Sequence, residues 1–129
     1  MYDRLLLDTC ALIWLSNCSE SLSTVAKLTI EEAGEVYVSA VSAWEIAQKY
    51  NSGKLILPCE PEKWFDHALK VLDLKLLPFD YHSAMRSTAL PMYHNDPCDR
   101  MIIQAAIDNR LTIVSGDGRF ADYGVEILR

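Results

Sequence analysis

The stretch Asn95-Asp96-Pro97-Cys98-Asp99-Arg100-Met101-Ile102-Ile103-Gln104-Ala105-Ala106-Ile107-Asp108-Asn109-Arg110-Leu111-Thr112-Ile113-Val114-Ser115-Gly116-Asp117 carries a helix, a strand and an acid in direct succession. Asp96 offers a helix cap, and Pro97 fits the first helical position, where a missing N–H costs nothing. Cys98, Met101, Ile102, Ala105 and Ala106 then form one apolar stripe at helical spacing. On a 3.6-residue wheel Asp99 lies at the border of that stripe and Arg100 points the opposite way. Leu111 to Val114 is a continuous apolar run, the pattern of a strand covered on both faces. Asp117 follows it after Ser115 and Gly116.

The same alternation runs outward through the rest of the chain. Leu5 to Leu7, Val36 to Val38 and Leu74 to Leu77 read as further strands, with Val125 to Leu128 as a short last one. Between them, helices are expected over Ser21 to Ala33, Ala40 to Asn51, Glu62 to Leu72 and Tyr81 to Leu90. Strands alternating with helices imply crossover connections and a central parallel sheet, hence a three-layer α/β/α domain. The 129 residues are one domain's worth, spanning 1–129. A chain of this length buries about two thirds of its extended surface, so a core forms without disulfides or a structural metal.

Composition narrows the function. Eighteen Asp and Glu oppose twelve Lys and Arg, for a net charge of −6. A broad basic face for duplex DNA or an anionic membrane is excluded on that balance. Cys10, Cys18, Cys59 and Cys98 lie far apart without a C-x-x-C, which argues against zinc and for buried or stray thiols in a reducing cytoplasm. Met1 to Asp8 has an apolar run of only three between charges, too short for a signal peptide, and no segment has the length of a membrane span. A soluble, cytoplasmic protein is expected.

In open α/β sheets, ligands bind beyond the carboxyl ends of the strands. Asp8 directly follows Leu5-Leu6-Leu7, Asp117 follows Leu111 to Val114, Glu45 lies in the helix after Val36 to Val38, and Asp99 lies in the first turn of its helix. Four acids from four segments can therefore converge at one sheet edge. Two like charges about 4 Å apart repel by roughly 4 kcal/mol at an effective dielectric of 20. Such a cluster protonates unless a cation intervenes, and oxygen-only donors favour Mg²⁺ or Mn²⁺. Carboxylate-held metal chemistry includes phosphodiester hydrolysis.

Each acid also has a plainer role on its own. Asp8 and Asp96 suit helix caps, Asp99 complements a helix dipole, and Asp117 sits in the turn sequence Ser-Gly-Asp-Gly. Glu45 has Lys49 four residues on, the favourable order for a surface ion pair. Ser115 either orients the metal and its water or shapes the turn. His67, His82 and His94 are isolated; His94 fits a phosphate contact, but a loop histidine is the simpler reading. Arg86, Arg100 and Arg119 read as solvated unless they touch a nucleic-acid backbone. Trp14, Trp44 and Trp64 read as core or interface residues rather than base-stacking platforms.

Taken together, the segments resemble the PIN-domain ribonucleases, and within them the VapC-type toxins of toxin–antitoxin systems. The resemblance covers nearly the whole chain in order: Leu5-Leu6-Leu7-Asp8-Thr9-Cys10-Ala11-Leu12-Ile13-Trp14, then Ser42 to Lys49 with Ser52-Gly53-Lys54-Leu55, then His94 to Ala105, then Ile113 to Asp117 with Phe120 and Tyr123-Gly124-Val125. It implies a small parallel-sheet fold whose acidic pocket cuts single-stranded RNA with Mg²⁺ or Mn²⁺. Asp8, Glu45, Asp99 and Asp117 match the metal-binding acids, Asp96 a further acid, and Ser115 a small hydroxyl position. Cys98 departs from the aromatic residue usual there, a change that bears on packing. The family further implies a homodimer and a cognate antitoxin covering the pocket.

An acidic RNA-cutting enzyme needs local cations, for which Lys49, Lys54 and Arg119 are the candidates. Weak general RNA affinity is then expected, with a specific or structured target preferred. Two other readings compete with the endoribonuclease. One is a non-catalytic binding module of the same fold; the other is an aspartate-nucleophile phosphatase or receiver domain. Asp8-Thr9-Cys10 lacks the phosphatases' second acid two positions on, and receivers carry their phosphoacceptor on a later strand. Dinucleotide binding is excluded, since no G-x-G-x-x-G follows a strand.

Overall fold

The structure, a computed structural model, describes residues 3–129. Five strands form one sheet in the order β3-β2-β1-β4-β5, and every pairing is parallel. They are β1 (Arg4–Leu7), β2 (Glu35–Ser39), β3 (Lys75–Leu77), β4 (Thr112–Val114) and β5 (Ile127–Leu128). Six helices connect them: α1 (Thr9–Ser16), α2 (Thr24–Glu32), α3 (Ala40–Asn51), α4 (Pro61–Val71), α5 (Tyr81–Ser87) and α6 (Pro97–Asn109).

The alternation of side chains along β1 separates the two cores. Leu5, Leu6 and Leu7 are all fully buried. Leu5 and Leu7 pack with Ala11, Leu12, Ala26, Trp64 and Phe65 on one face of the sheet. Leu6 packs with Ile102, Ile103, Ala106 and Phe120 on the other. One strand thus feeds two hydrophobic layers, which is why its apolar run is continuous rather than alternating. The expected three-layer α/β/α architecture is the one observed.

Helix starts follow side-chain capping. Asp8, Ser23, Ser39, Asp80 and Asp96 each accept a backbone N–H of the helix they precede. α2 starts at Thr24 rather than Ser21 because Ser23 is the cap. α5 ends at Ser87, short of the expected Leu90. The buried Arg100 side chain takes the carbonyls of Ser87 and Leu90 at 3.0 and 2.8 Å, so those groups are satisfied without helix. Leu74 and Leu111 are buried just ahead of β3 and β4 rather than inside them, and β5 is only Ile127–Leu128. A 3₁₀ turn over Gly118–Tyr123, absent from the sequence expectation, buries Phe120.

Candidate active site

The sheet order places β1 beside both β2 and β4: the chain runs outward from β1 to β2 and β3, then crosses back to β4 on the other side of β1. That reversal opens a crevice at the carboxyl ends of β1 and β4. Asp8 leaves β1 there, its N–H bonded to Val114 O at 3.1 Å. Asp117 leaves β4 three residues beyond Val114. Its turn is shaped by Ser115, whose Oγ accepts the Asp117 N–H at 3.0 Å. Trp14 braces the same turn: a Cβ on Gly116 would lie 2.9 Å from the indole, so only glycine fits. Glu45 comes from the second turn of α3 and Asp99 from the first turn of α6.

These acids feel one another. Burial, first, pushes the Asp8 carboxyl above its ordinary range, and Glu45 and Asp117 add repulsion against the pull of Ser115 and the Ala11 N–H. Asp99 is pushed up to about 7, by burial first and then by Asp96, Glu45, Asp8 and Asp117. All five acids of the sequence reading therefore share one electrostatic environment. The plainer roles are also filled: Asp8 and Asp96 cap α1 and α6 while belonging to the cluster.

Glu45 is buried, unlike a surface-pair residue. Thr9 Oγ1 donates to its Oε1 at 2.7 Å and Lys49 Nζ lies 3.1 Å from its Oε2. Burial opposes the Lys49 charge, but the Glu45 pairing outweighs it and the ammonium holds its proton more firmly than usual. Asp117 is gripped by Arg119: Nη2 meets Oδ2 at 2.8 Å and Nε meets Oδ1 at 3.1 Å. That fork holds the Asp117 carboxyl well below the usual carboxylate range. Lys54 lies exposed in the loop after α3 and, among the described residues, pairs with none of these acids.

His94 is the residue the sequence reading undervalued. It is 3% exposed, and its Nε2 lies 2.9 Å from Asp117 Oδ2 and 3.0 Å from Asp99 Oδ2. Its only sequence signal is its place two residues before the cap of α6. Among the described residues, His94, Asp99 and Asp117 bring ligating atoms within 4.8 Å of one another. Arg100 also differs from its solvated reading: it is buried and serves backbone carbonyls, not nucleic acid. Trp64 is core and Trp14 half-buried, whereas Trp44 is 62% exposed, so of its core or interface reading the core placement fails. Cys10 and Cys18 are exposed rather than buried.

The donor set suits a hard divalent cation. It offers carboxylate oxygens in excess, partly desolvated and mutually repelling, which a 2+ ion relieves. Of the nearby thiols, Cys98 is pushed up to about 11, by burial foremost, and stays protonated at neutral pH.

Comparisons with known proteins agree with this layout. The PIN domain family model matches residues 5–126. Ribonuclease VapC22 of Mycobacterium tuberculosis (strain ATCC 25618 / H37Rv) is 30% identical over 120 residues, 92% of this chain and 90% of that protein. VapBC2 from Rickettsia felis, solved bound to a promoter DNA fragment, superposes with a TM-score of 0.70 at 15% identity, covering 96% of each chain. A toxin–antitoxin complex from Klebsiella pneumoniae does so with a TM-score of 0.68 at 21% identity, covering 97% of this chain and 96% of that one. At those identities the structural likenesses speak for the fold.

Proposed function

Because the chain belongs to the PIN domain family, we propose that it is a single-domain, metal-dependent endoribonuclease, the toxin of a toxin–antitoxin pair. The relative VapC22 is named a ribonuclease, and the solved neighbours include toxin–antitoxin complexes. The observation that carries the reading is the convergence of acids from separate elements: Asp99 and Asp117 bring ligating atoms, with His94, within 4.8 Å of one another, and Asp8, Glu45 and Asp96 lie close enough to repel Asp99. Nothing in the fold needs that repulsion, since α6 is already capped by Asp96. A site that spends stability on crowded charge is a functional candidate.

Asp8, Asp99 and Asp117 would hold Mg²⁺ or Mn²⁺, with Glu45 as a further ligand or as the base that orients the attacking water. When bound, such an ion supplies water activation and neutralises charge developing on the phosphoryl group. The chain's own groups set the stage. Thr9 on Oε1 and Lys49 on Oε2 hold the Glu45 carboxylate in one orientation. Ser115 shapes the turn that carries Asp117. Lys49 and Arg119, paired with Glu45 and Asp117, would meet an RNA phosphate; Lys54 would act further along the strand. The same reading includes a homodimer, a cognate antitoxin and a cytoplasmic location. Among the described residues no helix is long and apolar enough to cross a membrane.

The test is cleavage of a mixed single-stranded and structured RNA pool with Mg²⁺ or Mn²⁺, with and without EDTA, comparing the natural chain with Asp8→Asn. Asparagine keeps the Oδ1 that caps α1, so the fold survives. The natural chain should cut, and EDTA or Asp8→Asn should stop it. Cleavage by a clean Asp8→Asn preparation, or none by the natural chain, would defeat the reading.

A further inference from the structure

The hydroxyls of Ser16, Thr29 and Ser87 turn back onto carbonyls of their own helices. Those of Thr9 and Ser42 do not. Thr9 opens α1, Ser42 lies in the first turn of α3, both are buried, and their oxygens are 2.9 Å apart. Thr9 Oγ1 also donates to Glu45 Oε1 at 2.7 Å. A hydroxyl has one proton to give. Thr9 gives its proton to Glu45, so Ser42 is the donor in the bond between the two hydroxyls. Both hydrogen bonds therefore run one way, from Ser42 to Thr9 to Glu45.

The fold does not need this polarity. Ser39, not Ser42, caps α3, its Oγ accepting the Val41 N–H at 3.0 Å. Alanine suits a helix better than serine, and valine is branched at Cβ like threonine without carrying a hydroxyl. Two buried hydroxyls cost free energy unless each finds a partner, and here the chain of partners ends on an acid of the cluster.

We propose that Ser42 and Thr9 are positioning residues, a buried hydrogen-bond relay that fixes the Glu45 carboxylate within the acid cluster. The assignment rests on the ribonuclease reading above and adds two residues to its site. No proton leaves its oxygen; the relay acts on orientation alone. Three features support it. First, the other group on Glu45 is Lys49, whose side chain is 34% exposed. Once Lys49 turns to an RNA phosphate, Thr9 is the donor left on Glu45 among the described residues. Second, Asp8 and Glu45 repel each other, and Thr9 directly follows Asp8. One dipeptide thus carries the first acid and holds the second, which sets their spacing. Third, a hydroxyl that accepts a hydrogen bond is a stronger donor itself, and that polarisation is what Ser42 contributes.

The experiment has two arms. In the metal-free protein, isotope-labelled at the glutamate carboxyl carbons, the Glu45 resonance is assigned with Glu45→Gln. Ser42→Ala should shift that resonance in the natural chain and leave it in place in the Thr9→Val background, because Ser42 acts only through Thr9. Equal shifts in both backgrounds would overturn the relay. The second arm is steady-state RNA cleavage with Mn²⁺. Thr9→Val should lower kcat by about tenfold to a hundredfold, the usual effect of losing a group that orients a functional side chain, with KM unchanged. Ser42→Ala should lower kcat less, the double variant should be no worse than Thr9→Val, and Thr9→Ser should keep most of the activity. Losses that multiply in the double variant, or a Thr9→Ser protein as slow as Thr9→Val, would also overturn it. Thr9→Ala replaces Thr9→Val in both arms if circular dichroism shows the valine variant unfolded. A natural chain that cuts no RNA would strike down the ribonuclease reading instead, while the carbon resonance still decides whether Ser42 reaches Glu45 through Thr9.

Discussion

The backbone N–H of Asp96 donates to His94 Nδ1 at 3.1 Å, and this one bond settles which ring nitrogen carries the proton. Nδ1 is the acceptor, so Nε2 is the N–H, and it points between Asp99 and Asp117 at 3.0 and 2.9 Å. The cap residue of α6 thereby orients an imidazole that holds two acids from different elements in register. His94 is itself fixed from behind, its backbone N–H donating to Tyr123 Oη at 2.9 Å while that hydroxyl donates to Pro91 O at 2.6 Å.

If His94 positions the acids, removing the ring should loosen them without touching the chain's overall fold. His94→Ala should lower Mn²⁺ or Mg²⁺ affinity by about tenfold to a hundredfold, the usual effect of deleting a group that orients a ligand. His94→Gln, which can return a donor near the Nε2 position, should recover part of it. Calorimetric titration of the metal into each variant checks this. Equal affinities for Ala and Gln would show that the hydrogen bond to the acids is not the cause.

The raised Asp99 carboxyl sets a pH dependence with a definite sign. In the unfolded chain the group titrates near 3.8, in the metal-free folded protein at about 7. Between those values the folded state binds the extra proton, so this group's contribution to stability falls as pH rises from about 4 to about 7. Asp117 acts oppositely: its lowered carboxyl stabilises the fold above its unfolded value, and that contribution is lost as pH falls below about 4. A divalent ion prefers the deprotonated cluster. Mg²⁺ should therefore raise Tm more at pH 8 than at pH 5.5, and binding near pH 6.5 should release protons, seen as a buffer-dependent enthalpy. A Tm shift independent of pH would contradict the coupling.

Much of this site is legible in the sequence because strand ends and helix starts are local signals. Asp8 after three leucines, and Asp96 and Asp99 around Pro97, each fix an acid to an element end, and the parallel sheet brings those ends together. What escapes is what depends on geometry between elements. His94 lies in a loop with no periodicity, and its burial arises only when Phe120 packs beside its ring at 5.7 Å between centroids. Arg100 looks solvated on a helical wheel because a wheel does not show that the loop after α5 folds over it. Trp44 satisfies an apolar helical pattern, but its side of α3 faces an opening rather than the sheet.

Arg119 both shields and competes. Its fork occupies both Asp117 oxygens, which a bound ion would have to share. Arg119→Ala should tighten metal binding at neutral pH by no more than about fivefold, since the arginine is largely exposed and solvent screens such pairs. The same variant should raise KM for RNA, because a cation beside the scissile phosphate is lost. Looser metal binding, or an unchanged KM for RNA, would mean that Arg119 serves only to shape the turn.

Arg100 shows how far the site depends on a loop. Its guanidinium donates to Pro91 O at 2.9 Å and Leu90 O at 2.8 Å, to Ser87 O at 3.0 Å, and reaches Thr88 O and His94 O at 3.4 Å. No carboxylate pairs with it among the described residues, so backbone dipoles alone solvate a buried charge. Arg100→Ala would orphan several of those carbonyls at once, at a cost of about 3 kcal/mol or more. Arg100→Lys should not restore stability, because one ammonium cannot span acceptors that a planar fork reaches from two nitrogens. Since the same loop delivers His94 to Asp99 and Asp117, both variants should also lose metal affinity. Thermal unfolding and metal titration on the two proteins test the pair of effects; a lysine variant as stable as the natural chain would show that charge, not the fork, holds the loop.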